Sequence, residues 1–352
     1  MTLGQELDTN LLTSSYDYFL PEEMIANIPA EPRDTSKLMV IDREKNIIVH
    51  KKFKDIIDYL LPDDLIVLND TRVIPARLYG KKNYDGAEIE ILLVREIEKD
   101  TWLTLAKPAK RLKKDTLIAF KQDMTGTVIK CLDTGERIIK FDYPKEQLFM
   151  DIIKKIGEIP LPPYIHNAKC DVERYQTVYS KNEGSVAAPT AGLHFTNELI
   201  KRLNDHGVKI TYLTLHVGLG TFLPIKTENI KEHKMHEEYY QISKETADLL
   251  NQQKNNNKRI IAVGTTVTRV LETVYNENNG FRETTGFSEI FIYPSYKFKA
   301  IDALITNFHL PLSTLLMLVS ALWDRNKLLN AYELAKENGY KFYSLGDSMF
   351  IF

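Results

Sequence analysis

The amino-acid sequence predicts a layered α/β protein with a small β-barrel inserted into its main domain. Between residues 65 and 141 the apolar residues form short runs with no helical period, separated by Gly, Asp and Asn, which is typical of a barrel or sandwich. In the second half of the chain, strand-like and helix-like segments alternate, which favours a layered α/β core. We therefore expect a discontinuous main domain over 14–66 and 151–352, and an inserted barrel domain over 67–150.

Helical spacing marks the end of the inserted segment. Leu148, Phe149, Ile152, Ile153 and Ile156 repeat at helical intervals, and Gly157 provides a stop. Further helices are expected at 196–206, 244–252, 266–275 and 314–323. Thr196 and Ser313 are the expected N-caps of the first and last of these, because a side-chain oxygen there can accept from a free N–H group. Strands are expected at 209–215, 259–263, 289–293 and 303–306.

The composition is that of an ordinary globular protein of 352 residues, 43% hydrophobic and 27% charged, with a formal net charge of -2. This balance gives no overall attraction to nucleic acid, so an RNA partner would need a local basic patch. The N-terminus lacks a signal-peptide pattern, and the longest apolar run, TLLMLVSALW, is too short to cross a bilayer. The two cysteines, Cys131 and Cys170, form no motif. We therefore expect a cytoplasmic protein with no membrane segment.

Four segments place polar residues beside Gly or Pro where a predicted strand ends, and loops at such positions often present binding groups. The first segment is NDTRVIPARL. Its side chains could offer a carboxylate and guanidinium groups to a polar ligand or phosphate. An ordinary turn with an Asx cap and a surface arginine is the alternative. The candidate residues are Asn69, Asp70, Thr71, Arg72 and Arg77.

The second segment, SVAAPTAGLHF, brings His194 to the start of a predicted helix. Its small residues, with Thr190 and Gly192 among them, let a ligand approach the backbone closely. The helix N-terminus that follows favours an anionic group. A histidine satisfied within the structure is the alternative interpretation.

The third and fourth segments, TLHVGLGTFLP and LITNFHLPLSTLLML, also carry a histidine where a strand opens into a loop. His216 precedes Gly218 and Gly220, which suit a flat ligand such as a nucleobase. The third glycine of a dinucleotide fingerprint is missing, which excludes a Rossmann site. In the fourth segment Asn307 and His309 follow a buried strand.

Three other motifs bear on chemistry. In AVGTTVTRVLE, the N–H groups that begin a helix could hold a carboxylate or phosphate, with Thr265, Thr266 and Arg269 as candidates, but the P-loop lysine is missing. EHKMHEE has two histidines and no further ligand set, so we expect no metal. KPAKRLKK carries five basic residues and is the best candidate for contact with a phosphate backbone, although a solvated face is the commoner role of such a run.

Taken in order, these segments resemble the S-adenosylmethionine:tRNA ribosyltransferase-isomerase family of queuosine biosynthesis. The resemblance includes NDTRVIPARLYG, LAKPAKRLK, APTAGLHFT, LHVGLGTF, VGTTVTRVLET and TNFHLPLSTLLML, and it extends over nearly the whole chain from Tyr16 to Phe352. It implies transfer and isomerisation of the ribosyl part of S-adenosylmethionine onto 7-aminomethyl-7-deazaguanine in the wobble position of tRNA. The implied products are epoxyqueuosine in tRNA, adenine and methionine. A two-domain fold with an inserted β-barrel is implied as well.

The resemblance implies roles for the candidate residues. We expect His194, His216 and His309 to converge on the S-adenosylmethionine pocket and to carry the proton transfers, because imidazole titrates near working pH. Asp70, Arg72 and Arg77 would bind the ribose or the modified base, and Lys107, Lys110 and Arg111 would hold tRNA phosphates. S-adenosylmethionine would be a consumed substrate, so no cofactor is expected. The sequence leaves the oligomeric state open, with a monomer as one option.

Two positions depart from the family pattern. Leu312 stands where a basic residue is usual, and Val267 stands where a serine is usual, so neither position offers the polar contact expected there. Two other functions compete with the implied one. A tRNA methyltransferase would use the same cosubstrate, but the glycine-rich strand-turn-helix expected near its N-terminus is missing. A non-catalytic RNA-binding module would need a broader basic face and stacking aromatic residues.

Overall fold

A computed structural model describes residues 8–133, 135–161, 172–218, 225 and 227–352. The predicted positions Cys170 and Gly220 lie outside the described residues. The chain divides into two compact units. The first comprises Met1–Thr71, Tyr164–Asn182 and Ala188–Phe352, and the second comprises Arg72–Pro163 and Glu183–Ala187. The second unit thus starts and ends later than the expected 67–150 and includes a short return segment.

The described residues form the following strands: β1 (Lys37–Asp42), β2 (Ile47–Lys52), β3 (Leu65–Asn69), β4 (Thr71–Val73), β5 (Arg77–Lys82), β6 (Glu88–Glu98), β7 (Thr101–Lys107), β8 (Leu117–Ala119), β9 (Thr125–Cys131), β10 (Arg137–Asp142), β11 (Asn182–Ser185), β12 (Lys209–Leu215), β13 (Glu238–Ile242), β14 (Ile260–Val263), β15 (Thr284–Ser288), β16 (Ala303–Asn307) and β17 (Ser348–Ile351). The α-helices are α1 (Phe149–Ile156), α2 (Asn197–Asp205), α3 (Lys244–Asn255), α4 (Thr265–Val274), α5 (Thr314–Leu322) and α6 (Arg325–Glu337).

A nine-stranded mixed sheet organises the first unit, with the strand order β15-β13-β12-β3-β14-β16-β17-β1-β2. Its centre, β12-β3-β14-β16, is parallel throughout. The parallel strands read as apolar runs because both faces of such a sheet are covered. Alternate residues of β3, Ile66 and Leu68, join a core cluster with Leu199 and Leu203 of α2. Their neighbours Leu65 and Val67 point to the other face and are also fully buried.

The helix ends follow local signals in the sequence. The Thr196 hydroxyl accepts from the N–H of Leu199, and the Ser313 hydroxyl accepts from the N–H of Leu316, so both predicted N-caps are confirmed. The predicted helices at 196–206, 244–252, 266–275 and 314–323 correspond to α2, α3, α4 and α5. The helix expected after Leu148 is α1, and Gly157 ends it.

The second unit contains a closed, antiparallel six-stranded barrel, ordered β10-β7-β6-β5-β8-β9. Alternate residues of β6, namely Ile89, Ile91 and Leu93, are fully buried inside it, as the period of two requires. Together with the mixed sheet, this barrel confirms the predicted fold class: a layered α/β main domain with an inserted small β-barrel.

Two details of the predicted strands were wrong. The apolar run from residue 65, grouped by sequence with the barrel, is β3 and pairs with β12 and β14 inside the large sheet. A strand was expected at 289–293, but the strand is β15, whose ladder to β13 ends at the pair Glu238 and Ser288. The partner strand decides this register, and the sequence of β15, TTGFS, has little apolar character to reveal it. None of the helices in the described residues combines the length and apolar character needed to cross a membrane.

Candidate active site

The polar residues predicted from the sequence gather at one edge of the large sheet. β12, β3, β14 and β16 run parallel, so their carboxyl ends share that edge. Asn69 ends β3, His216 follows β12, Gly264 follows β14 and Asn307 ends β16. Ligands of open α/β sheets bind outside the carboxyl ends of the strands. This edge is therefore the candidate site.

A small cavity, partly open to solvent, lies at this edge. Small side chains and the first residues of α4 form much of its wall, and His309 lines it. The lining includes Ala188, Pro189, Thr190, Ala191, Gly264, Thr265, Thr266, Thr306, Asn307, His309, Tyr343 and Ser344. The second, third and fourth segments predicted from the sequence thus contribute to one cavity, the third through Val217, together with the AVGTTVTRVLE motif.

Gly264 makes a tight turn from β14 into α4 at the cavity. Its φ of 93° and ψ of 152° belong to a region that only glycine adopts readily. As a result, the first N–H groups of α4 begin at the cavity wall, beside Thr265 and Thr266. The positive end of the helix dipole there suits a carboxylate or another anionic group.

His194 lies behind the cavity in a chain of buried hydrogen bonds. The Thr190 hydroxyl donates to the Asn307 side-chain oxygen at 3.1 Å, and the Asn307 amide nitrogen lies 3.1 Å from His194 Nε2. His194 Nδ1 lies 2.8 Å from the Ser36 hydroxyl. Because the amide can only donate to Nε2, the imidazole carries its proton on Nδ1 and donates to Ser36. The imidazole therefore fixes the orientation of Asn307, which faces the cavity.

Burial keeps this imidazole neutral. Desolvation lowers the pKa of His194 to about 4, and the nearby Arg33 guanidinium contributes in the same direction. The ring stacks on Phe53 with 5.0 Å between centroids, so one side is closed by an apolar group. Both ring nitrogens have protein partners, so the geometry gives His194 an orienting role.

His309 is the imidazole that lines the cavity. Its Nε2 lies 3.0 Å from the Thr306 hydroxyl, and burial lowers its pKa to about 3. Its backbone is held on both sides, because its N–H donates to the Tyr332 hydroxyl at 3.1 Å and its carbonyl accepts from the Tyr18 hydroxyl. The imidazole is thus neutral at neutral pH, so it puts no positive charge beside a cationic ligand.

His216 takes part in a second cluster at the ends of β3 and β12. Its Nδ1 lies 2.7 Å from the hydroxyl of Thr71, which is fully buried. Asn69 joins the two strands, since its amide donates to the Leu215 carbonyl at 2.9 Å and its side-chain oxygen accepts the N–H of Leu215 at 3.0 Å. Burial lowers the pKa of His216, and the Asp70 carboxylate opposes that shift.

Asp70 is held from two sides at the same edge. Its carboxylate accepts from the Thr214 hydroxyl at 2.7 Å and from the Asn182 amide at 3.0 Å. Residues Asn69, Asp70 and Thr71 therefore form a rigid end to β3, with His216 attached to it. Rigid supports of this kind are what a precise binding site needs.

Two of the predicted binding residues are tied to a buried ion pair. Arg269 on α4 contacts Glu238 at 2.5 Å, and both side chains are almost fully buried. The second oxygen of Glu238 accepts the N–H of Gly218 at 3.0 Å. Arg269 also donates to the carbonyl of Ile290 at 3.2 Å. The structure thus gives Arg269 protein partners and shows it anchoring the backbone at Gly218.

Gly192 is required by a close approach. A Cβ atom at this position would lie 2.0 Å from the hydroxyl oxygen of Tyr179. No side chain larger than hydrogen fits there without a shift in its neighbours. Glycine at 192 therefore lets the turn that carries Thr190 into the cavity wall form without displacing Tyr179.

Arg72, Arg77, Lys107, Lys110 and Arg111 belong to the second unit. Arg77 Nε lies 3.3 Å from the Glu90 carboxylate on β6. The three residues predicted to contact tRNA are exposed: Lys107 at the end of β7, and Lys110 and Arg111 in the segment between β7 and β8. Their roles remain predictions.

Ser36 and Phe53 complete the site without having been predicted. Ser36 stands 158 residues from its partner His194 in the chain, in the plain sequence RDTSKL. No local motif marks either residue, since a contact between segments that are distant in the chain creates the role. Among the described residues, no cluster of three or more His, Cys, Asp or Glu side chains could hold a metal ion. The expectations of no metal and no cofactor stay predictions.

A profile of the family described as "Queuosine biosynthesis protein" matches residues 13–351. The chain belongs to this family. A relative from Acetivibrio thermocellus named S-adenosylmethionine:tRNA ribosyltransferase-isomerase is 53% identical over 339 residues, covering 96% of this chain and 99% of the relative. A crystal structure of S-adenosylmethionine tRNA ribosyltransferase from Thermotoga maritima is 39% identical with a TM-score of 0.56, covering 96% of this chain and 100% of that one.

Membership of the queuosine biosynthesis family confirms the predicted resemblance. Three of the segments that carry the resemblance also line the cavity. APTAG supplies Thr190, VGTT supplies Thr265 and Thr266, and TNFH supplies Asn307 and His309. The family match and the cavity therefore point to the same residues.

Proposed function

We propose that this chain is an enzyme that transfers and isomerises the ribosyl moiety of S-adenosylmethionine onto 7-aminomethyl-7-deazaguanine in tRNA. Its products are epoxyqueuosine in tRNA, adenine and methionine. The observation that carries the proposal is the near full-length match to a relative named for this activity. The cavity supports it, because the matching segments place small and polar residues around it.

The chemistry of the cavity suits S-adenosylmethionine. Ala188, Ala191 and Gly264 line the wall and carry no bulky side chain, so a flat adenosine can approach the backbone there closely. The N–H groups at the start of α4 suit the carboxylate of the methionine part. Burial keeps His309 neutral, so the positive sulfonium meets no repulsion from this imidazole. The site thus offers one feature for each part of the ligand.

The reaction needs proton transfers that this wall can supply. The sulfonium acidifies the neighbouring C5′ protons of the ribose, so a base can remove one, and an acid can protonate adenine as it leaves. His309 is our candidate for direct proton transfer, because it lines the cavity. His194 acts through Asn307, whose amide it orients. His216 acts through Thr71 at the end of β3.

The tRNA is the second substrate. Lys107, Lys110 and Arg111 would hold its backbone phosphates, and Asp70, Arg72 and Arg77 would bind the ribose or the modified base. The reaction consumes S-adenosylmethionine and calls for no additional cofactor. Because tRNA is a cytoplasmic substrate, the expected location is the cytoplasm. A monomer would suffice for this chemistry.

Product analysis tests the proposal. The protein is mixed with S-adenosylmethionine and tRNA carrying 7-aminomethyl-7-deazaguanine, and the small molecules and tRNA nucleosides are separated by mass. We expect adenine and methionine in equal amounts, with epoxyqueuosine in the tRNA. S-adenosylhomocysteine with methylated tRNA would instead identify a methyltransferase, and absence of turnover with intact tRNA binding would favour a binding module.

A pair of histidine variants tests the assignment of the site. His309→Gln should lower kcat by about 100-fold or more, which is the usual contribution of general acid-base catalysis. His233→Gln is the matched control, because His233 packs edge-on against Phe291 and does not belong to the proposed site. Equal activity of both variants would contradict the role of His309.

A further inference from the structure

Residues 107–114 of the second unit, which begin at the last residue of β7 and lead towards β8, form what we call the basic segment; it carries Lys107, Lys110, Arg111, Lys113 and Lys114. All five side chains are exposed. Between them, Leu112 is almost completely buried and fixes the middle of the segment to the barrel. The segment therefore presents its cations outward from a fixed backbone.

Arg137 fixes the backbone of the basic segment through hydrogen bonds to its carbonyl groups. Its Nε donates to the Leu112 carbonyl at 2.9 Å, and one terminal nitrogen donates to the Ala109 carbonyl at 2.9 Å. The other terminal nitrogen donates to the carbonyls of Gly135 and Glu136, both at 2.8 Å. One guanidinium thus joins the basic segment to the turn between β9 and β10.

The direction of these hydrogen bonds sets the direction of the basic side chains. The carbonyls of Ala109 and Leu112 point inward to Arg137, and the Arg111 carbonyl accepts from Lys82 at 3.2 Å. With its carbonyls held on the barrel side, the short turn over 109–111 leaves the side chains of Lys110 and Arg111 in solvent. The same hydrogen bonds therefore turn the backbone carbonyls towards the barrel and the basic side chains towards solvent.

Arg137 is itself fixed in the barrel wall. It begins β10 and pairs with Thr104 of β7 and Cys131 of β9. The Thr104 hydroxyl donates to the Arg137 carbonyl at 3.0 Å. Arg137 is 9% exposed, so it cannot reach a bound polyanion as the outer cations can. Arg137 therefore makes no direct contact with phosphate, and its effect on the geometry of phosphate binding acts through the basic segment.

The choice of arginine matters for charge as well as geometry. The Arg137 guanidinium donates to the neutral carbonyl oxygens of Ala109, Leu112, Gly135 and Glu136. Its positive charge therefore adds to that of the five outer cations. A planar guanidinium presents five donors in a fixed fork, which a lysine ammonium cannot reproduce. A buried cation thus holds a cationic surface. Desolvation of the guanidinium and repulsion between the cations destabilise this arrangement, and an anion bound to the surface would offset the repulsion.

We propose that Arg137 is a positioning residue for the tRNA backbone, holding the basic segment so that several of its cations meet phosphates together. This inference rests on the proposed function, which makes tRNA a substrate. It adds a residue that touches no tRNA and that the sequence patterns did not mark.

The test measures tRNA affinity against salt for the wild type and three variants. Each phosphate contact contributes up to about 0.9 to the slope of log K against log salt. If Arg137→Met releases two contacts, the slope falls in magnitude by about 1.8, and affinity at 0.1 M salt falls about 60-fold. Arg137→Lys keeps the charge without the fork and should give an intermediate slope.

Ile139→Val is the matched control for lost stability. Ile139 is fully buried on the same strand, β10. Its side chain is apolar, so it takes no part in the hydrogen bonds by which Arg137 holds the basic segment. This variant should lower the melting temperature while leaving the salt slope unchanged. The KM for S-adenosylmethionine should remain that of the wild type in all three variants.

The outcomes separate this inference from the proposed function. A wild-type slope in both Arg137 variants, with tRNA still bound, would overturn the inference alone. An equal fall in slope for Ile139→Val would also overturn it, because general loss of barrel stability would then explain the effect. If the wild type shows no salt-dependent tRNA binding, the inference fails together with the tRNA part of the proposed function. If Arg137→Met does not fold, the slope of Arg137→Lys decides the question.

Discussion

Replacing His194 by Phe should change the pH dependence of stability in a way that reveals the buried hydrogen-bond chain. A phenyl ring keeps the volume and the stacking on Phe53, which lies 5.0 Å away between centroids. It leaves the Asn307 amide and the Ser36 hydroxyl without their imidazole partner. A buried polar group that loses its partner costs about 1–3 kcal/mol. With two such groups, we therefore expect a destabilisation of about 2–6 kcal/mol at pH 7.

At lower pH the difference should shrink. Desolvation lowers the pKa of His194 from its usual 6.5 to about 4 in the folded protein. Between these two values the unfolded chain binds more protons, so wild-type stability falls as the pH falls from 6.5 towards 4. At pH 5 this loss is about 2 kcal/mol, from 1.36 kcal/mol for each of about 1.5 pH units. The Phe variant has no such loss.

Urea unfolding at pH 7 and pH 5 measures the effect. Other titrating groups, including His309, occur in both proteins and cancel in the difference. We expect the gap between the wild type and His194→Phe to narrow by about 2 kcal/mol on acidification. A gap that stays constant, or that widens at pH 5, would refute a neutral His194 within this chain.

Three further substitutions test how the edge of the sheet is held, each by thermal melting. Arg269→Met should lower the free energy of unfolding by about 3–5 kcal/mol, because it leaves the Glu238 carboxylate buried without its guanidinium. Adding Glu238→Gln should restore much of that loss. Equal melting temperatures of the single and double variants would contradict this. Gly264→Ala should cost about 1–3 kcal/mol because of the φ of 93°, and an unchanged melting temperature would refute this. Gly192→Ala should cost about 1–3 kcal/mol by placing a Cβ atom 2.0 Å from the Tyr179 hydroxyl, a loss that Tyr179→Phe should partly relieve.

The helices were predictable because their signals are local. Thr196 and Ser313 each stand three residues before the N–H group that they cap, so the sequence displays the whole interaction. The strand β15 was not predictable in the same way. Its pairing with β13 decides where it ends, and the more apolar run that follows it is not a strand.

In the candidate site, too, features set by local sequence were predictable and features set by tertiary contacts were not. The edge itself was predictable, because Asn69, His216 and Asn307 each follow an apolar strand segment. Parallel pairing then brings those segments together. The partner of His194 could not be predicted, since Ser36 reaches it from 158 residues away. Nor could the burial of Arg269, which depends on Glu238 from another element.

The most direct test of the central claim follows two labels of S-adenosylmethionine, one in the ribose carbons and one in the methyl group, during reaction with tRNA that carries 7-aminomethyl-7-deazaguanine. The account predicts that the ribose label enters the tRNA in step with adenine release, while the methyl label leaves in methionine. Entry of the methyl label into the tRNA, with the ribose label retained in S-adenosylhomocysteine, would contradict it.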